Sequence, residues 1–354
     1  MMRMTVLASG SKGNSTVISS SRTRVLVDAG FSCRELLKRM SQAGEDPAQL
    51  DAILITHEHQ DHIAGLSVLA RRLNIPVFFT EPTHRAWVRM LTPRTTMTYA
   101  KWLDHAQREK EARAAAVAAS APHSELAGQL AEESSIIAGI AAEAAALSSD
   151  ARSDDPNAIL ELPVDPDEED LCAPESQLAA AQKPDPTHLP AVEYFHSGTR
   201  FSIGDIDITP FTIPHDAADP CGFVFESEGI RMALATDLGY MPPNVKAALR
   251  RIDVLLLESN HDLEMLRDGP YPWSVKQRVL SRVGHLSNHA TAEFLQKDYD
   301  GGASWIVLGH LSESNNAPEL ARLSAEQALG NHPTLLGNRV LLAHQAAPLD
   351  PITL

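Results

Sequence analysis

Within six residues, His57-Glu58-His59-Gln60-Asp61-His62, the chain gathers three imidazoles and the carboxylate of Asp61. The cluster directly follows the apolar run Ala52 to Ile55. These are ligands suited to Zn, Mn or Fe. The fold must therefore end a buried strand in a loop that an ion can reach. Alternate residues of an extended loop point the same way, so His57 and His59 can grip one ion. Asp61 and His62 then fall beyond the turn and can face a second. A polar loop with unrelated histidines is the bland alternative, but further ligand types recur at strand ends. His215 follows Ile206 to Phe211, Asp237 closes IRMALATD, and His310 closes SWIVLGH. Alone, each would be a cap or turn residue. With the cluster they make seven candidate ligands, enough for two ions with the open positions that catalysis needs.

The surrounding pattern predicts mainly short strands. MTVLA, TVIS, RVLVDAG, DAILITH and IPVFFT precede residue 81, with helices over Arg34 to Met40, Gly65 to Leu73 and Pro82 to Met90. EYF, RFSIGDIDITPF, GFVFES and IRMALATD come later, separated by Gly-Asp and Glu-Gly turns. Helices over Pro242 to Arg251, Trp273 to Ser281, His289 to Gln296 and Ala317 to Leu329 alternate with DVLLLESN, SWIVLGH and a strand near Arg339 to Leu342. This implies an α/β (α+β) architecture, with sheets packed face to face and helices outside.

The 354 residues carry a formal charge of −16, which at face value disfavours a polyanionic partner. The charge is uneven. Residues 104–192 hold 18 acids, 5 bases and 23 alanines, leaving 28 acids and 25 bases elsewhere. The first half of this segment favours helix, whereas its second half is acidic, Pro-rich and poor in aromatics. It is expected to be a partly helical, partly disordered acidic insertion over 104–190. The catalytic domain would then comprise residues 1–103 and 191–354. The insertion is either a solvated insert without chemistry or an arm for a protein partner. Three scattered cysteines exclude a disulfide framework and fit a reducing cytoplasm. No apolar run is long enough for a membrane span, and the first residues do not read as a secretory signal.

The ordered set of Asp28 in LVDAG, the HxHxDH cluster, His215, Asp237 and His310 resembles the metallo-β-lactamase fold superfamily. HDAADPCGFVFES, ATDLGY, ESNHDLEMLRDGPYPWSVKQRVLSRVGHLSN and LGHLSESNN resemble its WalJ (YycJ)-type nuclease branch more narrowly. The resemblance covers nearly the whole chain outside the insertion. It implies a four-layer αββα sandwich and two divalent ions. The implied ligands are His57, His59 and His215 for one ion, Asp61, His62 and His310 for the other, with Asp237 bridging and Asp28 orienting the cluster from behind. The oxygen-reducing di-iron branch carries Glu where this chain has His59, which points to hydrolysis.

The activity so implied is a cytoplasmic metal-dependent phosphodiesterase, a 5′→3′ exonuclease at DNA ends, that uses a hydroxide activated by two metals. Asp61 is then ligand and proton acceptor, and His285 in GHLSN is the candidate general acid. His261 lines the site or stands behind it. Ser9, Lys12 and Asn14 of SGSKGNS, with Ser312 and Asn315 of SESNN, are candidate phosphate contacts, although a plain tight turn explains the first loop nearly as well. Arg267, Lys276, Arg278 and Arg282, beside Tyr271 and Trp273, suit single-stranded nucleic acid. Equally, they describe a solvated helix whose aromatic neighbours pack in the core. A small-molecule hydrolase and a non-catalytic metal-containing module are the rival readings.

Overall fold

The computed structural model describes residues 1–92, 185–330 and 337–354, with isolated positions between 103 and 111. Its chain divides into two units, Met1–Pro93 with Lys183–Leu354, and Arg94–Gln182. The expected insertion, and with it any arm for a protein partner, lies almost entirely outside the described residues.

The first unit holds two seven-stranded mixed sheets. In sheet one the strands are β1 (Arg3–Ala8), β2 (Ser15–Ser19), β3 (Arg24–Val27), β4 (Ala52–Leu54), β5 (Val77–Phe79), β6 (Val192–Tyr194) and β14 (Ile352–Thr353), ordered 14-1-2-3-4-5-6. In sheet two they are β7 (Phe201–Ile203), β8 (Ile206–Thr212), β9 (Cys221–Ser227), β10 (Ile230–Ala235), β11 (Val254–Glu258), β12 (Trp305–Gly309) and β13 (Arg339–Leu342), ordered 13-12-11-10-9-8-7. β3 to β6 run parallel in the first sheet, as do β10 to β13 in the second.

Alternation along each strand builds three apolar layers. Met4, Val6, Val25 and Leu54 of sheet one meet Ile208, Phe223, Met232 and Leu256 of sheet two in the central layer. Opposite-facing neighbours go outward. Leu26 and Ile53 pack with helices α1 (Cys33–Gln42), α3 (Leu66–Leu73) and α4 (Glu81–Leu91) through Leu36, Leu69 and Trp87. Ala233, Leu255 and Ile306 pack with α5 (Pro243–Ala248), α8 (Asn288–Lys297) and α9 (Pro318–Leu329) through Val245, Phe294 and Ala325. Between them lie the short α2 (Gln60–Ile63), α6 (Leu263–Asp268) and α7 (Trp273–Val279). The four layers thus run helix, sheet, sheet, helix.

The histidine cluster is more ordered than an extended loop. β4 stops at Leu54, and His59 caps the one-turn helix α2 that carries Asp61 and His62. Among the described residues no helix is long and apolar enough to cross a membrane.

Phe223 is wholly buried between the sheets, against Phe195 and Phe225. Phe223→Ala should lower unfolding free energy by about 3–5 kcal/mol, measured by chemical denaturation.

Candidate metal centre

The site forms where the carboxyl ends of parallel strands from both sheets meet. Asp28 follows β3, His310 follows β12, and Asp237 lies two residues past β10; all three adopt positive φ, 60°, 54° and 63°. Each such residue turns its side chain sharply out of the strand direction. Gly30 lets the Asp28 turn press on α2. A Cβ there would stand 1.8 Å from the Asp61 carbonyl oxygen, so only glycine fits.

His57, His59 and His215 form the first cluster, their ligand atoms all within 4.8 Å of one another. His215 presents Nε2 3.1 Å from His59 Nδ1. Its own Nδ1 faces the carbonyls of Val283 and Gly284 at 3.1 and 3.3 Å, which fixes the proton on Nδ1. His57 Nδ1 lies 2.9 Å from the Thr56 hydroxyl, and its buried Nε2 has no hydrogen-bond partner.

The second cluster is Asp61, His62, Asp237 and His310. Asp28 fixes it from behind. Its carboxylate accepts from Thr56 N and Oγ1, both at 2.9 Å, and lies 2.8 Å from His62 Nδ1. His62 Nε2 is thereby aimed at Asp61 and Asp237, 3.4 Å from each carboxylate. His310 Nε2 and Asp237 Oδ2 are buried without hydrogen-bond partners. Orphaned, inward-facing donor atoms in both clusters match what a divalent cation requires of its ligands.

Glu258 was not singled out in the sequence, yet it organises this half of the site. It ends β11, wholly buried, and Asp237, Glu258, His285 and His310 form a third group of converging ligand atoms. Glu258 Oε1 accepts from both His285 Nδ1 and His310 Nδ1 at 2.8 Å. Oε2 accepts from Leu238 N and Leu286 N. The signal available was an acid closing an otherwise apolar run, DVLLLE, just before SNH. Glu58 is a second residue of this kind. Its Oε1 accepts from Ala218 N at 2.8 Å, tying the cluster to the loop that follows His215.

His285 is the more open imidazole, its ring centroid 5.2 Å from that of His215 and 5.0 Å from that of His310. His261 belongs to none of the three groups. It is buried, its Nδ1 lies 3.3 Å from Asn260 Oδ1, and its Nε2 has no partner. Asn14 Nδ2 lies 3.1 Å from both Asp61 Oδ2 and His62 Nε2, while its Oδ1 accepts from Gly10 N. Ser9 Oγ accepts from His310 N at 2.8 Å. Ser9 and Asn14 thus brace the second cluster from inside. Ser312 and Asn315 are also buried, and Ser312 Oγ accepts from Asn315 N. Lys12 alone of these five is exposed, paired with Glu313 at 2.7 Å.

Electrostatics divides the two clusters. Burial, reinforced by the neighbouring His62, pushes His57 well below the ordinary histidine range, and burial also lowers His215. Both are held as neutral imidazoles. In the second cluster burial opposes charge, but mutual attraction outweighs it. Asp61, Asp237 and Glu258 are driven below the usual carboxylate range, Glu258 to about 2, while His62 and His310 are raised well above theirs. Burial drops His261 to about 4. For Asp28 burial wins over His62, and its carboxyl is raised.

Comparison with known proteins agrees with this geometry. The family model of the metallo-beta-lactamase superfamily matches residues 8–275. Exodeoxyribonuclease WalJ of Streptococcus pneumoniae is 30% identical over 322 residues, covering 91% of this chain and 86% of the relative. Exodeoxyribonuclease YycJ of Bacillus anthracis is 29% identical over 328 residues, covering 93% and 89%. The solved metallo-beta-lactamase fold protein YhfI of Bacillus subtilis superposes with a TM-score of 0.56 at 13% identity, covering 99% of this chain and all of that one, a likeness of fold alone. Converging histidines and aspartates at the carboxyl ends of two facing sheets are the ligand set expected where a superfamily implies divalent metal ions, and the chain belongs to the metallo-beta-lactamase superfamily, in its WalJ/YycJ-type branch.

Proposed function

We propose that this chain is a metal-dependent phosphodiesterase that degrades DNA from its ends, as a 5′→3′ exonuclease. The observation that carries the reading is the pair of adjacent His/Asp clusters with buried, unpartnered donor atoms, within a chain whose relatives over nine-tenths of its length are named exodeoxyribonucleases. His57, His59 and His215 would hold one ion and Asp61, His62 and His310 the second, with Asp237 placed to serve both. Their N/O donor set accepts Zn, Mn or Fe. When bound, the ions supply a water of lowered pKa and neutralise charge on the phosphate.

The chain's own groups divide the remaining work. Asp61 stays ionised, because His62 and His310 hold its carboxyl down. It therefore serves as ligand and hydrogen-bond acceptor, and a proton passed to it would not remain. Asn14 Nδ2 keeps that carboxylate in place. His285 is open to the cleft, and its Nδ1 rests on Glu258. That contact occupies Nδ1 and leaves Nε2 as the ring atom free to act as general acid toward the leaving oxygen. Glu258 positions His285 and His310 together through a single oxygen atom. His261 and Asn260 support the loop behind them, Asn260 Nδ2 donating to the His310 carbonyl at 2.8 Å.

End-labelled single- and double-stranded oligonucleotides, offered after chelation with Zn or Mn supplied separately, test the reading. Processive shortening of DNA from the 5′ end is expected, with steep loss of activity as salt rises. Turnover of a small ester with no cleavage of any DNA or RNA would sink it. His285→Ala should lower kcat by about 10²–10⁴-fold at unchanged metal content, because it removes a proton donor and no ligand. Loss of metal in that variant would move His285 into the ligand set.

Glu258 gives an acid-side signature. Its folded carboxyl lies near 2 against an ordinary 4.5, because His285 and His310 more than offset its burial. Its stabilising contribution is complete above its unfolded value and is lost as pH falls from 4.5 through about 2. Thermal melts of metal-stripped protein should fall over that window, and Glu258→Gln should flatten the fall.

A further inference from the structure

Helix α7 is built inside out. Of its seven residues the buried one is Lys276, while Trp273 is 66% and Val275 38% exposed. Just beyond the helix, Leu280 and Val283 are 51% and 43% exposed. A helix packed for stability alone would bury its tryptophan and turn its lysine outward. The expected alternative, aromatic neighbours packed in the core, does not hold for Trp273.

This face adjoins the metal centre. The Val283 carbonyl accepts from Asp216 N and, with that of Gly284, faces His215 Nδ1. The turn after Asp237 presses on the same segment, where a Cβ on Gly239 would stand 2.4 Å from the Arg282 carbonyl group. The segment that carries Arg282 and Val283 thus also backs His215 and the turn after Asp237.

Charge selects the occupant. Gly269 to Ala292 contains no Asp or Glu, although the chain as a whole has 46. Lys276 Nζ donates to the Arg267 carbonyl at 2.7 Å and makes no direct ion pair among the described residues, although it helps to lower the carboxyl of the exposed Asp268 nearby. The rest of its side chain is buried beneath the face. The Arg282 guanidinium lies 4.4 Å from the ring centre of Tyr240 and likewise has no acidic partner among the described residues. An exposed indole, open aliphatic side chains and cations outside direct ion pairs are the elements of a platform on which bases stack while phosphates track the charge.

We propose that the face formed by Trp273, Leu280 and Val283, with Lys276 and Arg282, docks a single-stranded stretch of nucleic acid and feeds its end to the metal centre. The proposal rests on the nuclease reading for its substrate class. Single strands are favoured because a duplex hides the base faces that the indole would meet.

The test uses the metal-loaded full chain and a labelled phosphorothioate oligonucleotide that resists cleavage, with binding read by fluorescence anisotropy. Trp273→Ala and Arg282→Gln should each raise Kd about tenfold for the single strand. The same variants should leave metal content and hydrolysis of bis(4-nitrophenyl) phosphate unchanged, and Trp273→Ala should affect a blunt duplex far less. Kd values within about twofold of wild type for both variants would overturn the proposal. So would unchanged Kd with a drop in sedimentation mass for Trp273→Ala, which would make the face a contact between two copies. Equal weakening on blunt duplex would remove the single-strand assignment. A wild-type protein that binds the strand through Trp273 but cuts no DNA or RNA would uphold the face and sink the nuclease reading.

Discussion

Asp28 and Glu258 are wholly buried carboxylates, each at the end of a parallel strand and one in each sheet. Each fixes imidazoles by their Nδ1 atoms, Asp28 that of His62 and Glu258 those of His285 and His310. Burying a carboxylate is costly unless its oxygens are filled, and here all four oxygens have partners. The result is that several histidine rings keep one orientation and turn Nε2 toward the cleft. Without these two groups the three rings would be free to rotate, and the second cluster would lose its convergence.

Backbone strain accompanies this arrangement. Asp28, Asp237 and His310 all hold left-handed conformations, each costing on the order of 1–3 kcal/mol for a non-glycine residue. The surrounding packing over-determines them. Leu26, Leu234 and Leu308 just upstream are buried, and Asp28 N donates to the Leu54 carbonyl. Stability supplied by the three apolar layers is thus spent locally, where side chains must leave the strand direction to meet one another.

The parts legible in the sequence were those written as short-range pattern. HEHQDH after an apolar strand announced a cluster, and period-two alternation announced two-faced sheets. His215, Asp237 and His310 were visible because each polar residue ends an apolar run. Glu258 ends a similar run, but an acid at a strand terminus is ordinarily a solvated residue, and nothing local says that two distant histidines share its oxygen. Ser9 and Asn14 read as phosphate contacts because their loop is rich in Gly and Ser. Only the tertiary fold shows that the loop tucks under His310 and Asp61. Trp273 was undecidable for the converse reason: exposure is a property of what packs against a helix, and α7 packs on its lysine.

Each cluster draws on both sheets. His57 and His59 descend from β4 while His215 descends from β8; Asp61 and His62 ride on α2 while Asp237 and His310 leave β10 and β12. The site is therefore a caliper set across the central apolar layer. A slip of one sheet against the other by a fraction of an ångström would move every candidate ligand of one jaw together. Residues far from any donor atom, such as Met4, Phe225 and Met232, thereby set the gap. Volume changes at those positions would reach the chemistry as a common change of spacing, with each jaw still internally intact.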